Sequence, residues 1–261
     1  TRLLHRTTRK VQMTQDGQVF YERCKDLLAD VDEIQTLFHK DPASLRGRLR
    51  VDMPLAVARD VLVPNLPDFL SAHPELEIEL SSTDRKVDLI REGFDCVLRV
   101  GVLSDSSLIA RSLGEYVQIN CASPDYLARY GEPKTLADLA GHRLVHYVST
   151  LGGRSCGFEY VDSESANRVV SVQMPGALTV NNSVAYLSAC LSGLGVIQTP
   201  EVGLKPYFES GQLVEILPDF RAEPMPVWLI YSNRRHLPRR VQAFMNWFEQ
   251  LMKERLSTGR T

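Results

Sequence analysis

The sequence predicts an α/β protein built from two similar lobes, preceded by a basic hairpin and one long helix. Three observations lead to this prediction. Apolar residues between positions 20 and 38 recur at alternating steps of four and three, which indicates a long helix with a narrow apolar seam. From position 46 onward, short β-rich segments alternate with helical segments, which indicates a largely parallel sheet covered by helices. The alternation starts again near position 121, which indicates a second α/β unit.

The composition is that of an ordinary folded protein. Of 261 residues, 44% are hydrophobic, which is enough for one large core or two smaller ones. No apolar run is long enough to span a bilayer, and the basic start lacks the apolar segment of a secretory signal. The five cysteines are scattered and form no CxxC pair, which favours reduced thiols in a cytoplasmic protein over disulfides or a zinc site.

The first 14 residues form a basic tip on an acidic body. They carry a charge of +4, whereas the rest of the chain has 26 basic against 32 acidic side chains. Short apolar stretches flank the polar run from His5 to Lys10, which predicts a hairpin with its cations at the tip. Such a hairpin would contact DNA phosphates, and a solvated basic tail is the alternative. The residues predicted to contact the DNA backbone are Arg6, Thr7, Arg9 and Lys10.

The long helix is predicted to begin after Thr14 and to end at Asp41-Pro42. Thr14 is suited to be the N-cap, and the helix dipole favours Asp16 in the first turn. A seam this narrow is typical of self-association, and packing of the helix on its own domain is the alternative. The seam residues predicted to mediate dimerisation are Phe20, Cys24, Leu27, Val31, Ile34 and Phe38.

The segment RLLHRTTRKVQMTQDGQVFYERCKDLL resembles the wing and linker helix of LysR-type transcriptional regulators. In that family the wing reads R-x-x-R-x-V-x-L-T and is followed by a small turn residue and the dimerising helix. Met13 replaces the usual leucine, which is a conservative change. The chain begins without methionine and shows no recognition helix, so we expect most of the helix-turn-helix head to be absent from it. The positions that match the pattern are Arg6, Arg9, Val11, Thr14 and Gly17.

Two segments of the body, REGFDCVLRVGVLSDSSLIARSLG and LSGLGVIQTPEVGLKPYFESGQLVEIL, are similar to the effector domain of the same family. The resemblance implies a two-lobed, periplasmic-binding-protein-like (type 2) fold that senses a small-molecule effector. It also implies operator DNA and a homodimer or homotetramer as partners, in the bacterial cytoplasm and away from membranes. The implied divisions are a wing remnant at 1–14, a linker helix at 15–41 and an effector-binding domain at 46–261, with one lobe at about 46–120 and 232–261 and the other at about 121–231.

Candidate effector contacts follow the predicted strands, because ligands of open α/β sheets bind beyond the carboxyl ends of strands. In the family these segments line the pocket between the lobes, so the resemblance implies the same role here. The candidates after the first and third strands are Pro54, Leu55, Ala56, Arg99, Val100 and Gly101. The candidates in the second lobe are His146, Asn182, Ser183, Gln198, Thr199 and Pro200.

The polar candidates also have structural explanations. Asn182 is suited to cap a helix. Arg99 is able to pair with Asp95, Asp105 or a neighbouring helix. Gln198 stands out because a buried amide in an apolar strand needs hydrogen-bond partners. An anionic effector such as a carboxylate would match Arg99 and the helix N-terminus at Asn182.

No catalytic constellation is visible. The sequence has no GxSxG, no GxGxxG after a strand and no P-loop. His142 and His146 would lie roughly 13 Å apart on a strand, too far to share a metal. We therefore expect no enzyme activity, no metal and no cofactor other than a small organic effector. A solute-binding protein would lack the basic wing and the seam, and a structural oligomerisation module would not explain two lobes with polar groups at their strand ends.

Overall fold

The computed structural model describes residues 1–6, 11–36, 45–85, 87–103, 108–162, 168–231 and 237–258. It begins with the predicted hairpin, because β1 (Leu4–Arg6) pairs antiparallel with β2 (Val11–Met13). Three of the predicted DNA-contacting residues, Thr7, Arg9 and Lys10, lie outside the described residues. Arg6 lies in β1, at the end of the strand that leads to the hairpin tip.

Helix α1 (Gln15–Thr36) starts where the sequence predicted, with Thr14 as its cap. The hydroxyl oxygen of Thr14 accepts a hydrogen bond from the Gly17 N–H at 2.9 Å and donates one to the Arg2 carbonyl at 2.7 Å. Gly17 is required at this point because an added Cβ would overlap the carbonyl oxygen of Leu3. The wing is thus attached to the first turn of the long helix, so movement of one is passed to the other. The predicted helix end at Asp41-Pro42 lies outside the described residues.

The predicted seam of α1 is open to solvent in this chain. Phe20 is 55% exposed, Leu27 65% and Val31 43%, whereas Cys24 is partly buried. Ile34 lies in α1, and Phe38 lies outside the described residues. Exposed large apolar residues in a row along one helix are typical of a contact with another chain.

The first lobe is a mixed sheet whose strand order is β4-β3-β5-β14-β6. Strand β3 is parallel to β4 and β5, whereas β14 is antiparallel to β5 and β6, so the sheet is less parallel than the sequence predicted. The elements of this lobe are β3 (Arg46–Met53), α2 (Leu55–Val57), a π-helical turn (Ala58–Leu62), α3 (Val63–Ala72), β4 (Glu75–Ser82), α4 (Leu89–Glu92), β5 (Cys96–Val100), β6 (Ile109–Tyr116), β14 (Met225–Tyr231) and α8 (Arg239–Thr258).

The second lobe has a three-stranded sheet of order β12-β7-β13 and two small strand pairs, antiparallel β9–β10 and parallel β8–β11. Its elements are β7 (Gln118–Ala122), α5 (Pro124–Tyr130), a 3-10 helix (Leu136–Gly141), β8 (His146–Tyr147), β9 (Phe158–Asp162), β10 (Arg168–Val172), β11 (Thr179–Val180), α6 (Ser183–Leu191), β12 (Ile197–Pro200), α7 (Lys205–Glu209) and β13 (Val214–Glu215).

Each lobe has its own apolar core. In the first lobe the predicted stripe of α8 packs on the sheet, where Phe244 and Phe248 are fully buried. In the second lobe, one core packs α6 on β7 and β12, and another surrounds Tyr126 and Phe158. Separate cores let the two lobes move as units.

The chain crosses between the lobes twice, once from β6 to β7 and once from β13 to β14. The sequence-derived division put residues up to 231 in the second lobe, whereas the structure pairs β14 with β5 and β6 of the first lobe. The two crossings lie close together, because the Gln118 side-chain amide donates to the Glu223 carbonyl at 2.8 Å. None of the described helices is long and apolar enough to cross a membrane.

Several element bounds differ from what the sequence pattern predicts. The pattern predicts a helix from Asp60 to Ala72, whereas helical structure already begins at Leu55. A wider π turn accommodates the chain just before Pro64, which has no N–H to donate. The pattern also predicts a helix over 200–209, of which only Lys205–Glu209 is helical. It predicts a strand over 142–148, of which only His146–Tyr147 forms.

Candidate functional site

The carboxyl ends of β3, β4 and β5 meet at one edge of the first lobe. Just past β4, the Thr83 N–H donates to the Met53 carbonyl at 3.0 Å, which ties this turn to the end of β3. Leu55, two residues after the end of β3, begins the helical segment that runs to Ala72. The turn after β4 therefore places Asp84 against the first N–H of that helix.

Arg99 is paired inside the first lobe. Its guanidinium donates to the Asp52 carboxylate at 2.8 Å, and Asp52 is completely buried. The Thr83 hydroxyl is 3.3 Å from the other carboxylate oxygen of Asp52. The sequence suggests Asp95 or Asp105 as the partner of Arg99. Asp95 instead accepts from the Arg50 N–H at 2.8 Å, and Asp105 lies outside the described residues.

The second lobe presents the N-terminus of α6 to the first lobe, opposite the start of α2. We call the space between the lobes at this point the cleft. The Asn182 side chain accepts from the Ala185 N–H at 2.8 Å, so Asn182 is the N-cap, as its alternative explanation required. Ser183 is the first residue of the helix, and its hydroxyl oxygen is buried without a hydrogen-bond partner among the described residues. This helix end directs the Ser183 N–H toward the first lobe and holds one buried hydroxyl without a partner among the described residues.

The Asp84 carboxylate connects the two helix N-termini across the cleft. One oxygen accepts from the Leu55 N–H at 3.0 Å, and the other accepts from the Ser183 N–H at 2.5 Å. These donors belong to different lobes. Both are first-turn N–H groups, which carry the positive end of the helix dipole and favour an anion.

Tyr147 lies on the second-lobe side of the same space, partly buried, and Tyr186 lies behind it in the core of that lobe, where its hydroxyl accepts from the Gln198 N–H at 3.2 Å. Burial, and to a smaller extent the charge of Asp84, raises the pKa of Tyr147 to about 12. Burial raises the pKa of Tyr186 as well. Their rings meet edge to face at 5.4 Å. Both phenols are neutral at physiological pH, so this wall of the cleft is uncharged.

Gln198 has structural partners that explain its burial. Its side-chain amide donates to the Asn120 side chain and to the Glu159 carbonyl, both at 2.7 Å, and accepts from the Glu159 N–H at 2.7 Å. The amide thus fastens β9 to the sheet. The neighbouring candidates Thr199 and Pro200 pair with β7 near the first crossing of the chain.

His146 is not brought to the Asp84 cluster. Successive strand residues face opposite sides, and its neighbour Tyr147 faces Tyr186. The Nδ1 atom of His146 lies 2.9 Å from the Ser155 hydroxyl, and its ring packs so closely on Gly176 that an added Cβ would collide with it. The histidine therefore supports the segment that precedes β9.

The remaining candidates of the first lobe lie at or just after the ends of β3 and β5. Gly101 is engaged through its backbone, since its N–H donates to the Pro226 carbonyl at 2.8 Å and its carbonyl accepts from Trp228 at 3.1 Å. Every predicted effector residue is partly buried, and Val100 packs against the core of the first lobe. The structure brings the segments of Leu55, Arg99 and Ser183 to one space and leaves His146 apart.

The polar groups at the cleft are held in hydrogen bonds and one ion pair. The described residues include no cluster of three side chains able to hold a metal ion. The buried histidine of the second lobe, His142, lies away from the cleft against Tyr126, and burial lowers its pKa. The five cysteines are free thiols, of which Cys156 is exposed. Backbone N–H groups at two helix ends and the phenol of Tyr147 are groups of the kind that recognise small polar molecules.

Asp84, Asp52 and Tyr147 were not predicted as site residues. Asp84 could have been found, because it follows β4 just as Pro54 follows β3, and the same rule applies to every parallel strand. The pairing of Asp52 with Arg99 spans 47 residues and has no local signal. Tyr147 required knowledge of how the second lobe packs against Asp84.

Fold and cleft together define a class: two-lobed α/β ligand-binding domains carried behind a wing and a long helix. A family model described as the LysR substrate binding domain matches residues 42–253. The HTH-type transcriptional regulator YhjC of Escherichia coli is 46% identical over 98% of this chain and 85% of its own length. An HTH-type transcriptional repressor of Pseudomonas aeruginosa is 36% identical over 97% of this chain and 79% of its own length.

Solved structures agree with these relatives. The full-length virulence activator AphB of Vibrio cholerae, a LysR-type regulator, is 30% identical and matches with a TM-score of 0.66 over 94% of this chain and 82% of its own. The regulator CrgA of Neisseria meningitidis is 25% identical and matches with a TM-score of 0.69 over 97% of this chain and 84% of its own. The chain belongs to the LysR family of transcriptional regulators.

Proposed function

We propose that this chain senses a small organic effector in its inter-lobe cleft and thereby controls how an oligomer contacts operator DNA. The observation that carries the proposal is the pair of helix N-termini, one from each lobe, that meet at Leu55 and Ser183. A ligand held there would touch both lobes at once. Ligand binding would then favour one arrangement of the lobes over another. The protein acts in the bacterial cytoplasm and catalyses no reaction.

The effector carries an acidic group, a carboxylate being the simplest. Two features support this class. The first-turn N–H groups of Leu55 and Ser183 already hold a carboxylate, that of Asp84. The neutral phenol of Tyr147, beside Asp84, offers a hydrogen bond without a competing charge. No metal or other cofactor is needed for this recognition.

The oligomer forms through the seam of α1. A second copy of this chain supplies the same row of exposed apolar residues, so the seam is self-complementary. The wing is attached to the first turn of α1 through Thr14 and Gly17, so a change in the angle between paired helices moves the two wings. Paired heads at a fixed spacing match a two-fold DNA site.

The DNA contact of the wing is tested by salt dependence. In the full-length protein, Arg9→Ala is expected to lower the slope of log affinity against log salt by about 0.9, because one phosphate contact and its released counterion are lost. Affinity should fall alike for all DNA sequences, since phosphate contacts do not read bases. The measurement is a fluorescence titration of a DNA duplex at several salt concentrations.

The matched control is Arg168→Ala, which removes an exposed cation from the second lobe and should leave the slope unchanged. Equal slopes for wild type and Arg9→Ala would contradict the wing's role. Absence of salt-dependent DNA binding by the full-length protein would support the alternative, a solute-binding protein.

A further inference from the structure

The Asp84 carboxylate lies where two like charges would otherwise face each other. The N-terminal turns of α2 and α6 approach across the cleft, and each presents the positive end of a helix dipole. Without an anion between them the two helix ends repel, and two buried N–H donors lose their acceptor. Asp84 supplies one oxygen to each helix, at 3.0 Å to Leu55 and 2.5 Å to Ser183.

The connection joins the lobes and not merely two loops. Asp84 is fixed to the first lobe through the turn after β4, where Thr83 is bonded to Met53. Ser183 is fixed to the second lobe, because Asn182 caps α6 and the helix packs on the core of that lobe. The bond from Ser183 to Asp84 links positions 99 residues apart. A change in the angle between the lobes must break it.

We propose that Asp84 is an internal anion that latches the two lobes together, and that the acidic group of the effector opens the latch by taking its place. The displacement of Asp84 by the effector rests on the proposed sensing function, whereas the latch itself does not. A ligand carboxylate accepts the same two N–H groups, so the exchange keeps both donors satisfied. The link between the lobes then runs through the ligand, whose size sets the new angle between them.

The latch is tested by chemical rescue. Asp84→Ala removes the carboxylate and leaves room between the two helix ends. We expect its melting temperature to fall by about 5 °C, because two charge-assisted hydrogen bonds are lost. Sodium acetate should restore the melting temperature of Asp84→Ala with a saturating dependence, beyond any effect of sodium chloride at the same ionic strength. Wild type should show no such acetate effect, because Asp84 occupies the position and acetate, unlike a whole effector, makes no further contacts with which to displace it.

Two controls separate the latch from general effects. Asp84→Asn fills the same space with an amide that presents N–H groups to an N–H donor, so it should be destabilised but not rescued by acetate. Asp138→Ala also removes an acceptor of two backbone N–H groups, those of Lys134 and Thr135, but at an exposed capping box within one lobe. It should be destabilised without acetate rescue, because no enclosed space receives the ion.

The proposal is overturned if Asp84→Ala melts at the temperature of wild type, or if acetate stabilises wild type, Asp84→Asn and Asp84→Ala alike. No effector enters this experiment. Failure of rescue would therefore remove the latch and leave effector sensing untouched. Failure to find any effector would remove the sensing function and leave the rescue result standing.

Discussion

Replacement of Arg99 by methionine is expected to lower the free energy of unfolding by about 3–5 kcal/mol, because it leaves the fully buried Asp52 carboxylate without its cation. Methionine fills the volume of the arginine stem, so the loss reports the charge and not a cavity. The hydrogen bond from the Thr83 hydroxyl to Asp52 is long, at 3.3 Å, and the nearby Arg85 is already bonded to Glu92, so neither replaces the lost guanidinium. Urea unfolding followed by circular dichroism gives the free energy by linear extrapolation.

A double-mutant cycle identifies the cause of that loss. Combining Asp52→Asn with Arg99→Met should recover a large part of the stability lost in Arg99→Met, because no buried charge is then unpaired. Arg59→Met breaks an ion pair with Asp60 in which both side chains are well exposed, and should change stability little. If Arg99→Met costs no more than Arg59→Met, Arg99 is not a structural cation and is available to a ligand.

Substitution of Leu27 by glutamate is expected to dissociate the oligomer. Leu27 is 65% exposed in the single chain and lies at the middle of the seam, so each dimer would bury two carboxylates where two leucines packed. Loss of two buried leucines corresponds to an increase in the dimer dissociation constant of about 100-fold or more. Sedimentation velocity across a concentration series measures that constant.

Val19→Glu is the matched control for the seam. Val19 is 60% exposed on the same helix but lies outside the four-and-three repeat, so its replacement should leave the dissociation constant close to that of wild type. A wild-type chain that sediments as a monomer at tens of micromolar, or a Leu27→Glu chain that sediments like wild type, would rule out dimerisation through this helix.

Local signals in the sequence predicted the parts of the fold that depend on neighbouring residues. The wing and α1 were predicted because hairpin and heptad patterns extend over a few residues, and both are confirmed. Asn182 caps α6 because its side chain is suited to bond a first-turn N–H. The helix ends before Gly193, whose φ of +73° is a conformation that glycine adopts readily. Such features need no knowledge of the tertiary structure.

Features that depend on distant parts of the chain were missed or misplaced. Strand β14 joins the first lobe because Trp228 pairs with Arg99, far away in the sequence, and no local pattern reveals which sheet receives a strand. The same holds for the Asp52–Arg99 pair and for the contact of Asp84 with Ser183. The candidate segments were therefore named from the sequence, whereas the ion pair and hydrogen bonds that connect them emerged only from packing.

The most direct test of effector sensing is thermal unfolding of this chain against a library of small carboxylates, aromatic acids and amino acids. Ser183→Pro and Ser183→Ala serve as the comparison. Proline is tolerated at the first helix position and removes the N–H donor together with the hydroxyl, whereas alanine removes the hydroxyl alone. Effector sensing at this helix end predicts a saturating rise of roughly 5–10 °C at a hundredfold excess over Kd for an acidic ligand, retained in Ser183→Ala and diminished in Ser183→Pro. A flat response of wild type across the library, or equal responses of both variants, would contradict it.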